Sequence, residues 1–228
     1  CKVTGVQTCA LPIYQIDAPG SAIRTTVKLP ASKSISNRAL ILNALSYSAY
    51  DVENLSDCDD TNLMVKALNS NDRDFNVGAA GTTMRFLTAF LSKVVGEWTI
   101  TGTERMKNRP IKVLVDALNA LGARIEYMEK EGYPPLRIFG SALQGGEISL
   151  PGNVSSQYIS AILMIAPLTE NGVTLHLEGA IISRPYIHIT LQLMEQYGVR
   201  ASWTENTIKV LPQEYKPQIG RASCRERV

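Results

Sequence analysis

One pattern returns three times along this chain of 228 residues, and it restricts the possible folds more than any other feature. A short alternating stretch runs into a turn of Pro, Gly and small polar residues, and the turn opens into a helix-length run that is apolar almost all round. The pattern occurs at Leu29-Pro30-Ala31-Ser32-Lys33-Ser34, at Phe75-Asn76-Val77-Gly78-Ala79-Ala80-Gly81, and at Ile148-Ser149-Leu150-Pro151-Gly152 leading to Ser155-Ser156-Gln157. The runs that follow, 37–45, 86–91 and 158–166, have no polar face, so each helix must be covered on every side. An amphipathic helix then follows in each copy. The first has Leu63, Met64, Ala67 and Leu68 on one face behind Asp57, Asp59 and Asp60; the others open at Arg109-Pro110 and Arg184-Pro185 and end at Gly122 and Gly198.

Strands are expected at 22–29, 51–55, 98–101 and 173–177, with hairpins at 123–128/135–139 and 199–203/207–211. Self-similarity at a period of about 75 residues, in phase with this element pattern, predicts an α/β protein of three repeated βαβαββ units around the buried helices. The first unit lacks its hairpin, because 69–74 is only a polar turn.

Both ends of the chain read as foreign. Residues 1–13 and 218–228 look like translated adapter DNA and are set aside as non-native segments. Leaving out Lys2, Arg221, Arg225, Arg227 and Glu226 brings the formal charge from +2 to −1, so nothing points to nucleic acid or an anionic membrane surface. Of the four cysteines only Cys58 then remains, which excludes a disulfide framework and a metal cluster and suits a reducing, cytoplasmic setting. His176 on an alternating strand and His188 on a helix have no companions at metal-ligand spacing. The longest apolar run, 159–168, is too short to span a bilayer.

The three helix starts carry the chemistry. Ser34, Ser36 and Asn37 offer caps and hydroxyl donors, and Lys33 and Arg38 add two cations beside the unpaired N–H groups of a first helical turn. The spacing is not that of a Walker loop. A Gly-rich start at 78–85 and a Ser-rich start at 155–157 repeat the device. Gathered on one face, the three starts would hold a phosphate or carboxylate, with the cations contributing more than the helix dipoles.

Five motifs, in order and each at a place marked by the repeat, carry a resemblance to a known family. They are 32–40 (Ser-Lys-Ser-Ile-Ser-Asn-Arg-Ala-Leu), 80–85 (Ala-Gly-Thr-Thr-Met-Arg), 105–110 (Arg-Met-Lys-Asn-Arg-Pro), Ser155-Ser156-Gln157 and Ser183-Arg184-Pro185-Tyr186. Together they resemble 5-enolpyruvylshikimate-3-phosphate (EPSP) synthase, 3-phosphoshikimate 1-carboxyvinyltransferase, from about Tyr14 to Pro217. The resemblance implies enolpyruvate transfer from phosphoenolpyruvate to the 5-hydroxyl of shikimate 3-phosphate with no metal or organic cofactor. It implies that Lys33, Ser34, Arg38, Ser155, Ser156, Gln157, Ser183 and Tyr186 hold shikimate 3-phosphate, and that Lys33, Gly81, Arg109 and Gln157 hold phosphoenolpyruvate. Lys33 is then the catalytic candidate, between the two substrates.

The family's chains are about twice this length, so 14–217 is expected to be the shikimate 3-phosphate-binding half, and a missing second domain supplies the catalytic carboxylates. Residues 14–29 belong with that second domain, which leaves their strand without a sheet to join. No Asp or Glu accompanies Lys33 within the motifs, so the chain alone is expected to bind without turnover; the complete protein is expected to be a monomer. Two departures stand out: Ala79 where the family often has Asn, and Phe86 where it often has Pro. Arg184 is read as covering the sheet, outside the site. Two other readings fit the helix starts: an enolpyruvyl transferase acting on a nucleotide sugar, and a non-catalytic anion-binding module.

Overall fold

A computed structural model describes residues 29–217, together with Gly20, Arg24 and Thr26. The expected strand at 22–29 falls largely outside these residues, as do both end segments. The helix that opens the description, α1 (Lys33–Leu45), begins four residues earlier than its apolar run. The reason lies in its polar residues. Ser36 and Asn37 do not cap the helix: the Ser36 hydroxyl accepts from the Ser56 amide at 2.9 Å, and the Asn37 carbonyl oxygen accepts from Thr61 Oγ1 at 2.8 Å. Their oxygens are engaged sideways, against the next segment, although Asn37 Nδ2 is buried with no partner among the described residues, so the helix can start at Lys33 behind Ser32.

Helix α2 (Asp59–Leu68) carries Asp59 and Asp60 in its first turn, as expected. Between α1 and α2 the expected strand at 51–55 is reduced to an isolated bridge at Glu53. The polar stretch 69–73 leads from α2 directly into the first strand of a sheet, with no hairpin between them.

Two four-stranded sheets follow, built alike. The first contains β1 (Asp74–Asn76), β2 (Gly96–Thr101), β3 (Arg124–Tyr127) and β4 (Leu136–Gly140), in the order β1-β2-β4-β3. The second contains β5 (Gly146–Pro151), β6 (Val173–Glu178), β7 (Ala201–Thr204) and β8 (Thr207–Val210), in the order β5-β6-β8-β7. In each sheet the first two strands are parallel and the other pairs antiparallel, with Phe75 opposite Ile100 in one and Ile148 opposite Leu175 in the other. The parallel pairs are joined by α3 (Gly81–Lys93) and α6 (Ser156–Ile165), as a parallel connection requires. The outer helices α5 (Lys112–Ala120) and α7 (Arg184–Gln196) lead into the two hairpins. A short helix α4 (Glu104–Lys107), unforeseen in the sequence, precedes Arg109.

The core lies between the sheets. In α3, residues 81–89 are all buried, and in α6 only Gln157 is not. These helices pack against each other, and α1 touches both as well as α7. Burying one such Leu, Ile or Phe is worth about 1.5–3 kcal/mol, so the apolar runs hold the three helix starts in place. Gly198, with φ +83°, ends α7 in a conformation that a side chain would strain.

Candidate anion site at three helix starts

The first turns of α1, α2, α3 and α6 meet, and polar side chains tie them together. Asp60 is the junction. Its Oδ1 lies 3.7 Å from Lys33 Nζ and accepts the Thr82 amide at 3.2 Å, while its carbonyl accepts from Thr83 Oγ1 at 2.6 Å. Across the same turn, Gln157 Nε2 donates to Thr82 Oγ1 at 3.2 Å. These bonds are why α3 starts at Gly81 and not at the apolar Phe86: Thr82 and Thr83 are buried with their polar atoms engaged. Ser155 caps α6, its hydroxyl accepting the Gln157 amide at 3.4 Å.

Two guanidinium groups close over Gly81. A Cβ added there would stand 2.5 Å from Arg109 Nη1 and 2.8 Å from Arg85 Nη1, so the glycine is what lets both approach the helix start. Arg85 is buried, donates to the Gly81 carbonyl at 2.7 Å, and lies 5.2 Å from the centre of the Tyr158 ring. Its Nε is buried with no partner among the described residues. Tyr158 donates to the Pro110 carbonyl at 2.7 Å and so fixes the backbone beside Arg109. The Arg109 guanidinium is held below its usual pKa by partial burial and then by Arg85 and Arg105, with Asp60 and Tyr158 pulling the other way. Cations outnumber the carboxylate here, and that imbalance favours an anion.

One turn deeper, Arg38 joins α1, α6 and α7. Its Nε donates to Thr190 Oγ1 at 2.7 Å, Nη1 to the Ser34 carbonyl at 2.8 Å and Nη2 to Ser160 Oγ at 2.8 Å; Ser160 and Thr190 bond each other at 2.8 Å. Arg38 is 2% exposed, with its guanidinium 5.3 Å from the Phe86 ring centre. Burial pushes its pKa down to about 10, and Tyr186 opposes the shift only partly. No carboxylate pairs with it among the described residues. Residues four apart share a helix face. Ser34, Ser156 and Tyr186 therefore stand one turn above Arg38, Ser160 and Thr190, at the mouth between α1, α6 and α7.

Two groups of residues named from the sequence are thus brought together. Lys33, Gly81, Arg109 and Gln157 form one, and Ser34, Arg38, Ser156 and Tyr186 the other; Lys33 and Gln157 adjoin Ser34 and Ser156 in the chain and join the two. Ser155 and Ser183 lie at the starts of α6 and α7, and the Ser183 hydroxyl makes no cap bond. Arg184 lies outside, its guanidinium 5.4 Å from the Trp203 ring centre, in keeping with its expected place over the sheet. His188 packs on Trp203, and His176 contacts Thr207 and Glu147.

No Asp or Glu stands beside Lys33 within the motifs, but Asp60, outside them at the start of α2, is delivered to the lysine by that helix. Arg85 was also missed as a site residue, although it stands in the motif that contains Gly81.

A cavity of about 910 Å³ at the other end of the buried helices is lined by Tyr47, Phe90, Val95 and Leu168, among others. It is mainly apolar and faces helix C-terminal ends, whose carbonyl oxygens repel anions. Among the described residues no cluster of His, Cys, Asp and Glu could hold a metal ion, and no helix is long and apolar enough to cross a membrane.

Fold and site define a class: an α/β protein with two mixed sheets that gathers helix starts and cations on one face. Comparison with known proteins gives the family. The model of EPSP synthase (3-phosphoshikimate 1-carboxyvinyltransferase) matches residues 18–71 and 68–223, and the chain belongs to that family. A 3-phosphoshikimate 1-carboxyvinyltransferase of Bacteroides fragilis is 60% identical over 203 residues, covering 89% of this chain and 49% of the relative. The enzyme so named from Pseudoalteromonas atlantica is 44% identical over 207 residues, covering 79% and 48%. The chain thus spans about half the length of the curated relatives it matches. The solved EPSP synthase of Acinetobacter baumannii superimposes with a TM-score of 0.74 at 20% identity, covering 84% of this chain and 48% of that one, which shows the shared fold.

Proposed function

We propose that this chain, from residue 14 to 217, is the shikimate 3-phosphate-binding half of a 3-phosphoshikimate 1-carboxyvinyltransferase. In this reading its three α/β units are one repeated βαβαββ element, with the first reduced to its helices and flanking segments. The transferase moves enolpyruvate from phosphoenolpyruvate to the 5-hydroxyl of shikimate 3-phosphate and releases phosphate. Lys33, Ser34, Arg38, Ser155, Ser156, Gln157, Ser183 and Tyr186 hold the phosphorylated acceptor; Lys33, Gly81, Arg109 and Gln157 hold phosphoenolpyruvate. The setting is cytoplasmic and the partners are these two small molecules.

The observation that carries the proposal is Arg38. A guanidinium 2% exposed, with its pKa down to about 10 and no carboxylate beside it among the described residues, is a buried charge that an anion would stabilise. The mouth above it is lined by Ser34, Ser156 and Tyr186, whose hydroxyl groups suit a hydroxylated, phosphorylated ligand. The nucleotide-sugar reading is not favoured, since the matching family model and the similar relatives are 3-phosphoshikimate 1-carboxyvinyltransferases.

Chemistry needs a proton delivered to the methylene carbon of phosphoenolpyruvate and another taken from the acceptor hydroxyl, in a site closed to water. Lys33 can serve one role. It is half exposed, and an open site screens its charge. The chain by itself therefore binds both ligands and turns over neither. Calorimetry tests the reading: shikimate 3-phosphate binds the chain one to one and more tightly than phosphoenolpyruvate alone, whereas tighter binding of phosphoenolpyruvate alone would refute the assignment.

A further inference from the structure

Among the described residues, a single carboxylate, that of Asp60, faces Lys33 and lies near Arg109. Asp60 is 18% exposed at its side chain, against 48% for Lys33, and its Oδ1 occupies the position at the start of α3 where an anion would be expected to sit. It faces Lys33 and the Thr82 amide directly, and Arg109 feels its charge. Thr82 in turn accepts from Gln157, so the carboxylate on α2 touches α1 and α3 directly and reaches α6 through Thr82.

We propose that Asp60 is a tethered counter-anion, a positioning residue that holds the empty site together and yields Lys33 and the start of α3 to the incoming phosphate or carboxylate. The inference rests on the functional reading above for the identity of the ligand, but not for the presence of an anion site. Two opposed effects decide the sign. Losing the Asp60 charge costs only the half-exposed ion pair with Lys33 at 3.7 Å, a small part of the ordering, because an amide keeps the Thr82 bond that ties α2 to α3. The same loss removes a like charge within a few ångströms of the bound anion, and in a partly desolvated site that repulsion is the larger effect. Asp60 therefore weakens anion binding, in exchange for a preformed arrangement of α1, α2 and α3.

The test uses the whole chain and inorganic phosphate as probe, titrated by calorimetry into the wild type and Asp60→Asn. The amide keeps an oxygen to accept the Thr82 N–H and loses only the charge. The expected result is phosphate binding several-fold tighter in Asp60→Asn, together with a lower melting temperature in the absence of phosphate. Binding by the variant alone is the same result in stronger form. Equal or weaker binding in the variant, or none in either protein, overturns the proposal, since a purely structural role would lower stability without raising affinity. If Asp60→Asn does not fold, Asp60→Ser gives the same comparison. A wild type that binds phosphate but not shikimate 3-phosphate would refute the functional reading and leave the phosphate comparison intact.

Discussion

Replacing Arg38 with Met removes a buried charge and leaves a flexible apolar chain in the space of its stem. Three of the five guanidinium N–H groups are spent on Thr190, Ser34 and Ser160, so two remain, with the charge, for a ligand. One charge-assisted hydrogen bond is worth about 1.5–3 kcal/mol. The dissociation constant of shikimate 3-phosphate should therefore rise about 10- to 150-fold. Stability should move far less. The cation is already destabilised by burial, exchange of a buried charge for an apolar group of similar volume is often neutral, and Ser160 and Thr190 keep each other at 2.8 Å. Calorimetry with shikimate 3-phosphate, alongside urea unfolding, separates the two effects. Unchanged affinity in a folded variant would show that Arg38 only rivets the helices, and the argument from an unpaired buried cation would fall.

Further consequences are open to simple measurement. Gly81→Ala should weaken phosphoenolpyruvate more than shikimate 3-phosphate, because its Cβ displaces Arg109 and Arg85; equal effects on both ligands in calorimetry would separate Gly81 from the phosphoenolpyruvate group. Phe86→Ala should cost about 3–5 kcal/mol in urea unfolding, since Phe86 is fully buried beside Arg38. Burial raises Tyr215 well above the usual phenol value and Tyr127 to about 12. Both stay protonated in the folded chain while the unfolded chain loses those protons above about pH 10, so stability should fall as pH rises from 10 toward 12. Arg38 works the other way in that range, because its folded pKa of about 10 is depressed and the unfolded state holds the proton longer. Tyr215→Phe should flatten the net decline, and an unchanged slope would assign it elsewhere.

The elements were legible in the sequence wherever period and punctuation agreed. The amphipathic run ending at Gly122 and the alternating hairpin strands around Gly132 stand where the spacing put them. Helix starts were placed too late, at Asn37 and Phe86, because Ser36, Thr82 and Thr83 read as polar loop. Their hydroxyl groups are satisfied by partners 20 to 75 residues away, and no local pattern shows that. The expected strand at 51–55 is a single bridge at Glu53, since alternation over so few residues does not fix the extent of pairing. The same limit hid Asp60: nothing in the sequence relates position 60 to position 33, and only the packing of α2 on α1 and α3 does. Arg85 sat within a quoted motif, and a buried arginine one turn past a glycine could have been suspected of reaching back to its carbonyl.

On the proposed function the ligand site lies at the starts of α1, α3, α6 and α7, and not in the apolar cavity at the far helix ends. Amide chemical shifts of the isotope-labelled chain, followed while shikimate 3-phosphate is added, test it most directly. The shifted amides should cluster at 33–38, 155–160 and 183–190, with 81–83 joining when phosphoenolpyruvate is added. Shifts confined to Tyr47, Val95, Leu168 and their neighbours would place the ligand at the opposite end of the helices and contradict it.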